Sequence, residues 1–399
     1  MNESTTSYAR AVLFVFVFSS LLVSPVCGAD IDVSKPVQLT FNDSYERNPT
    51  AFIDDSGRYW VFYARGDTCT QRNGCDPDND AYMIYYKYSD DAGTTWSSPV
   101  LLNEARPTSF NQRDLSAFED DSGTIWVFAS SGDSGTCRAL FYYTTDDDGA
   151  TWSGAAGVAL EGISNDSNCA PVSGTRMGHS HLFYSNGIIH LAYQSSGGSK
   201  IYYSSSNNSG VNWSAPVEVY SSGHYVPKIL ESSGQLYIVT AKGADGQIWL
   251  ADSSDDGATW STKQIAGSNS AWGDWDPSIS RLPDSKLLVV WAPNIGSDGQ
   301  QLKQVYSSDD GATWSDARDI TAGGYGSAEW WDYWPDILPG TNNYLFFSSE
   351  HDITGTAYGS GNIWLYDFDW NIDHSHYDTI TGAIGNATDG STIEVASGN

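Results

Sequence analysis

The residues with the clearest chemical potential are charged and aromatic side chains at the ends of short apolar stretches. Arg47, Asp114 and Tyr333 each stand just before such a stretch, and Glu350 closes one. Aromatic rings stack on the C–H faces of sugars, and carboxylates donate or accept protons in glycoside hydrolysis. Arginine adds a charged contact for an acidic group. This combination indicates a carbohydrate ligand. Similar side chains at matching places are Glu46, Arg65, Asp67, Arg113, His179, His181, His224, Tyr225, Lys242, Trp275, Asp276, Asp332, Trp334 and His351.

One acidic stretch has the spacing of a cation-binding loop. Asp76, Asp78 and Asp80 alternate in the run DPDND, and their oxygens could hold Ca²⁺. The Gly and the distal Glu of an EF-hand loop are missing, which favours a solvated acidic loop. We therefore expect no cofactor, and a structural Ca²⁺ at these three residues is the alternative.

A repeated unit must position these side chains, because one eight-residue pattern occurs five times. The pattern is Ser/Thr-x-Asp-x-Gly-x-Thr-Trp, and the third copy has Asn at the Asp and Thr positions. The Asp carboxylate can accept hydrogen bonds from backbone N–H groups of its own turn, and the Gly can adopt the positive φ that the turn needs. We interpret these segments, called the Asp turns below, as folded turns and not as catalytic groups. They end at Trp96, Trp152, Trp213, Trp260 and Trp314.

A second pattern, an apolar strand, a turn and another strand, occurs six times. With the Asp turns it makes about one four-stranded blade per repeat, which predicts an all-β, six-bladed β-propeller. The sixth blade has no Asp turn and needs an outer strand from elsewhere. Residues 33–40 match the outer strands, so we expect them to pair with residues 362–370 and remove the open sheet edge. The six hairpins are 51–64, 117–130, 181–194, 228–241, 278–291 and 336–349.

The first and last segments differ from the repeats. Residues 11–28 are apolar, follow Arg10 and precede small residues, as in a secretory signal peptide, and an uncleaved anchor is the alternative. We expect a signal peptide at 1–29, a propeller at 30–370 and a tail at 371–399 that resembles the start of a parallel β-helix domain. The product would be secreted or at the cell surface, with no membrane span after cleavage.

The cysteines after the signal peptide are even in number, which in an exported chain suggests two disulfides. Four cysteines permit three connectivities. The short loop favours Cys69–Cys75, which leaves Cys137–Cys169. No CxxC spacing or neighbouring His indicates a metal site at these cysteines.

The charge balance restricts the partners. The 399 residues carry 19 basic and 49 acidic side chains, a formal net charge of −30. Such a chain lacks the Lys/Arg patches that bind nucleic acid, and anionic membrane surfaces repel it. Apolar residues make up 40 %, enough for a core, so wholesale disorder is excluded. We expect a monomer that binds extracellular carbohydrate.

The Asp turns, the six-bladed arrangement and the strand-start residues together resemble the sialidase (neuraminidase) family over residues 33–370. Arg47-Asn48-Pro49 stands where the family has Arg-Ile-Pro. The resemblance implies that Arg47 contacts an acidic sugar and Glu350 braces it. It also implies Tyr333 as the nucleophile and one of Asp67, Asp78 or Asp80 as the acid/base. Further substrate contacts are expected at Arg65, Asp114, Lys242, His224, Trp275 and Trp334.

The chain departs from the family in three places. His224-Tyr225 stands where the fourth blade should open with Glu, Lys242 replaces a clamp Arg, and the fifth-blade loop NIGSDGQQ has no Arg. Lys is a point charge and cannot reproduce the planar fork of Arg. We predict a secreted sialidase-like glycoside hydrolase acting on terminal sugars, including acidic ones. The alternatives are a non-catalytic glycan- or protein-binding propeller and a polysaccharide lyase that uses His179 or His224 with Tyr225.

Overall fold

Alternating apolar residues form short antiparallel strands throughout the computed structural model, which describes thirteen stretches of the chain. The predicted signal peptide, the C-terminal tail and the Asp76–Asp80 loop lie outside these stretches. So do Cys69, Cys75, Cys169 and the side chain of Cys137, which the predicted disulfides involve. Within them, no helix occurs that is long and apolar enough to cross a membrane. The described residues are 37–41, 45–66, 82–102, 111–133, 137–158, 177–195, 199–243, 246–267, 274–293, 302–320, 330–339, 344–351 and 361–367.

The described residues form twenty-four strands in six four-stranded sheets, and each sheet is one blade. In chain order the strands are β1 (Val37–Gln38), β2 (Tyr45–Ile53), β3 (Tyr59–Gly66), β4 (Tyr82–Ser89), β5 (Val100–Leu101), β6 (Asn111–Glu119), β7 (Ile125–Asp133), β8 (Cys137–Thr145), β9 (Ala156–Gly157), β10 (Met177–Ser185), β11 (Ile188–Ser195), β12 (Ile201–Ser206), β13 (Val217–Tyr220), β14 (His224–Ser232), β15 (Gln235–Lys242), β16 (Gln247–Ser253), β17 (Ser261–Gly267), β18 (Asp274–Arg281), β19 (Leu287–Pro293), β20 (Lys303–Ser307), β21 (Arg318–Asp319), β22 (Trp330–Ile337), β23 (Tyr344–His351) and β24 (Gly361–Asp367).

Blades one to five each take four consecutive strands, from β2–β5 to β18–β21. Blade six has the order β22-β23-β24-β1, so its outer strand comes from the other end of the described chain. Val37 pairs with Leu365 and Gln38 with Trp364, within the two segments that the sequence predicts to pair. The predicted all-β, six-bladed propeller is confirmed.

The core lies between the blades, where the face of one sheet packs on the next. Trp60 and Phe62 of blade one pack with Val127 of blade two, and all three are buried. The Trp of an Asp turn also contacts the preceding blade. Trp152 meets Phe62 edge-on at 5.9 Å between ring centroids, and Trp260 meets Tyr203 at 5.4 Å. The repeat therefore joins blades to one another as well as folding each blade.

The Asp turns fold as predicted, with the carboxylate holding the turn together. In the last copy, Asp309 accepts hydrogen bonds from the Thr313 amide and the Ser307 hydroxyl, both at 2.8 Å. The Trp314 indole donates to the Gly311 carbonyl at 3.1 Å, and Gly311 has a φ of 84°. A side chain at Gly311 would be strained by that φ, which explains the Gly of the pattern.

A second turn motif escaped the sequence analysis. Asp54 Oδ1 accepts hydrogen bonds from the backbone amides of Ser56 and Arg58. Asp54 Oδ2 accepts a hydrogen bond from the Trp60 indole N–H at 2.8 Å. The sequence DDSGxxW is repeated at 120–126, where Asp120 accepts a hydrogen bond from the Trp126 indole N–H at 2.8 Å. These carboxylates close the hairpins between the first and second strands.

The first strands of the six blades, β2, β6, β10, β14, β18 and β22, are neighbours around the central channel. They do not pair by backbone hydrogen bonds, since each belongs to a different sheet. Side chains cap their free amides instead. The Asp336 carboxylate accepts a hydrogen bond from the Ala51 amide at 3.0 Å, and the Ser116 hydroxyl accepts one from the Leu182 amide at 3.0 Å. In the same way, His181 Nδ1 accepts from the Ile229 amide at 3.2 Å, and the Ser278 hydroxyl accepts from the Ile337 amide at 3.4 Å.

We expect Ser116→Ala to destabilise the protein by about 1–3 kcal/mol, because the buried Leu182 amide would lose its acceptor. Urea unfolding should show a lower midpoint with an unchanged slope. The exposed Ser98→Ala should stay within about 0.5 kcal/mol of the parent. Equal midpoints for Ser116→Ala and Ser98→Ala would contradict the capping role.

The Asp turns should make stability depend on pH in acid. Hydrogen bonds from Thr side chains lower the pKa of Asp255 and Asp309 to about 2, from an ordinary 3.8. Their contribution is present above pH 4 and is lost as the pH falls towards 2. The double variant Asp255→Asn/Asp309→Asn should lose less stability than the parent between pH 4 and 2 in thermal unfolding. Parallel curves for the two proteins would show that these carboxylates are not the titrating groups.

Candidate functional site

A bulge interrupts the first strand of every blade. The pairing register skips between Arg47 and Thr50 in blade one, and an equivalent skip occurs in each of the other five blades. Bulges re-aim side chains and are common beside functional sites. In four blades the bulge contains Pro, which lacks an N–H and is tolerated at such a position. These are Pro49, Pro227, Pro277 and Pro335.

Five bulges hold a non-glycine residue at positive φ, between 48° and 52°. Val226 and Trp334 are among them, and bulky or β-branched residues rarely adopt that conformation. Such strain persists where the surrounding structure enforces it, and it concentrates at functional sites. The five bulge residues at positive φ and His179 of blade three line one pocket, and we call these six residues the channel ring. Its members are Asn48, Asp114, His179, Val226, Asp276 and Trp334.

The pocket encloses about 370 Å³, counting its opening to solvent. Ser180 and Lys228 complete the polar lining. The Ser180 hydroxyl is buried and has no hydrogen-bond partner among the described residues.

A carboxylate and an imidazole from neighbouring blades meet in the ring. Asp114 Oδ1 and His179 Nδ1 are 2.8 Å apart, and the Ser130 hydroxyl donates to Asp114 Oδ2 at 2.7 Å. The Asp114 side chain is 7 % exposed and that of His179 is 31 % exposed. The carboxylate is therefore anchored in the wall, and the imidazole reaches the open pocket. A His oriented by a carboxylate is suited to act as a general base.

Asp276, on blade five, is a second carboxyl group of the ring. Desolvation raises its pKa to about 6, and the negative Asp114 contributes. Coulombic interactions with His179, Lys228 and Arg47 oppose this rise. A carboxyl group with a pKa near 6 keeps a proton over the range in which a general acid works.

Lys228, which lines the pocket, takes part in an ion pair. Its Nζ lies 3.3 Å from Asp336 Oδ1. Burial raises the pKa of Asp336, while Lys228 and the Ala51 amide act in the opposite direction. Beside them, burial and then Lys228 hold the pKa of His181 well below its ordinary value. His181 is therefore a neutral hydrogen-bond acceptor for the next blade.

Arg47 lies beside the ring within an aromatic enclosure. Its guanidinium carbon is 4.1 Å from the centre of the Tyr82 ring, 5.5 Å from that of Trp334 and 5.7 Å from that of Tyr45. Tyr333 packs on Trp334 at 5.3 Å between centroids. The structure thus brings together Arg47, Tyr333, Trp334 and Asp114, four of the residues that the sequence analysis singled out.

Three other predicted residues lie elsewhere. Arg65 pairs in register with Glu46, next to Arg47 in the strand, so the side chains of Arg65 and Arg47 point to opposite faces of blade one. The guanidinium of Arg65 rests on Tyr85 at 4.8 Å. His224 and Lys242 contact a different aromatic group in blade four, which is described next.

His224 is a buried histidine of the blade interface. Its ring stacks on Tyr220 at 3.8 Å, and Nδ1 is 2.9 Å from the Thr240 hydroxyl. Burial lowers its pKa to about 4, so it remains neutral. Lys242 Nζ lies over the Trp249 ring at 4.7 Å. Neither residue lines the pocket, because β14 and β15 place both on the flank of the blade.

Several predicted residues fall outside the described part of the molecule. These are Asp67 and Asp80 and the side chains of Trp275 and Glu350. Among the described residues, no group of three or more His, Cys, Asp or Glu side chains could hold a metal ion.

The sequence analysis did not single out Ser180, Lys228 or Asp336, and it gave Asp276 no role. A signal was present in the repeated x-Pro pairs at 48–49, 226–227, 276–277 and 334–335, each just before an apolar stretch. Aligning these pairs would have marked the bulge of four blades.

The comparisons agree with this architecture. The sequence profile described as "BNR repeat-like domain" matches residues 31–222 and 115–294, which together exceed half of the chain. The chain belongs to the BNR repeat-like domain family. A search of curated proteins finds no match.

Solved structures share the fold of this BNR-repeat propeller. A protein of unknown function from Dyadobacter fermentans is similar at a TM-score of 0.64 and 15 % identity, over 84 % of this chain and 98 % of that one. The NanB sialidase from Streptococcus pneumoniae matches at 0.60 and 14 % identity, over 85 % and 70 %. Trypanosoma rangeli sialidase matches at 0.57 and 13 %, over 83 % and 59 %. At these identities the likeness shows the sialidase-type fold.

Asp276 should titrate near pH 6 in carboxyl-detected NMR, far above Asp309, whose pKa is about 2. His179→Gln should raise the Asp276 pKa further, because the imidazole whose Coulombic interaction lowers that pKa is removed. Since its folded pKa lies above the ordinary 3.8, Asp276 should reduce stability as the pH rises from about 4 to 6. A midpoint below pH 4.5 would contradict the described environment.

Proposed function

We propose that this BNR-repeat propeller is a secreted, sialidase-like glycoside hydrolase that binds a terminal acidic sugar of extracellular glycans in the channel pocket. One observation carries the proposal. An aromatic ring, an imidazole, a lysine and two carboxyl groups line one pocket of a sialidase-type propeller. Arg47 lies beside this pocket, with its guanidinium carbon 5.5 Å from the centre of the Trp334 ring. This is the set of groups that recognition and acid–base cleavage of an acidic sugar requires.

Arg47 supplies the charge for the acidic group. It is 5 % exposed and its guanidinium is held against Tyr82, Tyr45 and Trp334, so it is positioned before the ligand binds. A preorganised cation loses little entropy on binding. Trp334 belongs to the ring and offers an aromatic surface to the sugar. Tyr333, which the family resemblance singles out, packs on Trp334 beside this surface.

A non-catalytic glycan-binding propeller is the second candidate, and one observation favours it. Lys242, which stands in place of a clamp arginine, lies over the Trp249 ring, whereas Arg47 lies over the ring of Trp334 at the pocket. A carboxylate clamp with one arginine binds an acidic sugar less firmly than a complete one. Binding without product release would then be the activity of the pocket.

The test of the function is turnover of a fluorogenic α-sialoside, run beside a neutral β-galactoside and a uronate polymer. The proposal predicts release of the acidic sugar and no release from the neutral glycoside. An unsaturated product from the uronate polymer would indicate a lyase. Glycan binding without any turnover would favour the binding propeller.

Arg47→Ala should raise the KM or Kd for the α-sialoside about 10- to 100-fold, the cost of losing a charge-assisted contact. Arg58→Ala is the matched control, because Arg58 is also an arginine of blade one on aromatic rings, 4.7 Å from Tyr88, but it pairs with Asp90 at a turn. Thermal unfolding should verify that both variants fold. Equal affinities for the two variants would show that Arg47 does not contact the acidic group.

A further inference from the structure

We propose that His179, oriented by Asp114, is the general base for a water molecule in the channel pocket and that Asp276 is the general acid. Hydrolysis would then proceed by direct displacement with inversion at the anomeric carbon. The inference rests on the proposed function, because it assigns the proton transfers of that reaction. It differs from the family resemblance, which implies Tyr333 as nucleophile and one of Asp67, Asp78 or Asp80 as acid/base.

The base is an oriented imidazole. Asp114 holds His179 Nδ1 at 2.8 Å and is itself held by the Ser130 hydroxyl at 2.7 Å. A carboxylate on Nδ1 fixes the tautomer with the proton on that nitrogen and leaves Nε2 as the acceptor. It also stabilises the imidazolium that forms when Nε2 takes a proton. Asp114 is thus a positioning residue, and His179 would accept the proton.

The acid comes from a different blade. Asp276 is at the bulge of blade five, and its side chain is partly exposed within the same pocket. Nearby Asp114 is negative, and two carboxyl groups that share a site do not ionise equally. The hydrogen bonds of Asp114 favour its charged form, whereas desolvation favours the neutral form of Asp276. Carboxyl groups separated in this way can take different roles.

The fourth blade explains why a tyrosine nucleophile is disfavoured. The resemblance requires a Glu at the start of this blade to take the phenolic proton. Among the described residues, those of blade four that line the pocket are Val226, Pro227 and Lys228, and none of them is a carboxylate. His224, the first residue of this blade, is buried and its ring stacks on Tyr220. A water molecule activated by His179 needs no group from blade four.

The proposed step balances without a cofactor. A water oxygen bonds to the anomeric carbon while one water proton passes to His179 Nε2. The bond from the anomeric carbon to the aglycone oxygen breaks, and that oxygen takes the proton of the Asp276 carboxyl group. The products are a sugar with inverted anomeric configuration and a free alcohol. Asp276 is left ionised and His179 protonated, and exchange with solvent restores both.

The first arm of the experiment is the stereochemistry of the product. Hydrolysis of 4-methylumbelliferyl α-sialoside, followed by proton NMR before mutarotation, should show the β-anomer first. Tyr333→Phe should retain turnover within about 10-fold of the parent. First formation of the α-anomer, or loss of turnover in Tyr333→Phe, would overturn the inference and leave the proposed function standing.

The second arm separates the acid from the base. Asp276→Asn should lower kcat about 10²-fold or more on sialyllactose, the usual contribution of general acid–base catalysis. It should lose far less on the 4-methylumbelliferyl substrate, whose aglycone leaves without a proton. His179→Gln should lower kcat on both substrates. Equal losses for Asp276→Asn on both substrates would refute its role as the acid.

The third arm tests Asp114 through the pH profile. Asp114→Asn should change the limb of kcat/KM that reports the base, whereas a merely structural role would lower activity without moving it. Asp284→Asn, an acidic residue of a β18–β19 turn, is the control and should behave as the parent. Parent-like rates in both His179→Gln and Asp276→Asn would overturn the inference alone. No turnover by the parent on any glycoside would overturn the proposed function and the inference with it.

Discussion

The structure depends on how six separate sheets meet at the centre without sharing backbone hydrogen bonds. Each first strand has amides that face a neighbouring blade, and a buried amide without a partner is costly. Side chains one position past the bulge region provide the acceptors, as Ser116 does for Leu182 and Asp336 for Ala51. The bulges then turn the preceding residues towards the channel. The closure of the propeller and the composition of the pocket therefore have one origin.

This arrangement also determines the electrostatics of the pocket. The side chains that cap the amides of neighbouring blades lie next to the channel ring. Charged groups from blades that are distant in sequence therefore come together in a desolvated space. Lys228 occupies a capping position but cannot accept a hydrogen bond, and it pairs with Asp336 instead. Its charge depresses the pKa of His181 and opposes the rise at Asp276. The channel thus contains neutral, cationic and anionic groups whose states are set by their neighbours.

Much of the fold could be predicted because its signals are local. Each Asp turn and each hairpin is encoded within about fifteen residues, and five or six copies reinforce one another. The pocket could be predicted only in part. Arg47, Asp114, Tyr333 and Trp334 were expected at strand starts, and the structure brings them together. His224 and Lys242 were expected there too, but alternation along β14 and β15 directs them to the blade flank. The pairing of Asp114 with His179 joins residues 65 apart and arises only when blades two and three pack.

The central claim is that the channel ring is the binding site for an acidic sugar. The most direct measurement is an NMR titration with N-acetylneuraminic acid that follows the His179 ring and the Trp334 indole. The account predicts saturable shifts at both residues, and no shift at Trp314, which lies in an Asp turn and donates to Gly311. Shifts confined to the Asp turns, or none at His179 and Trp334 at saturating sugar, would contradict the claim.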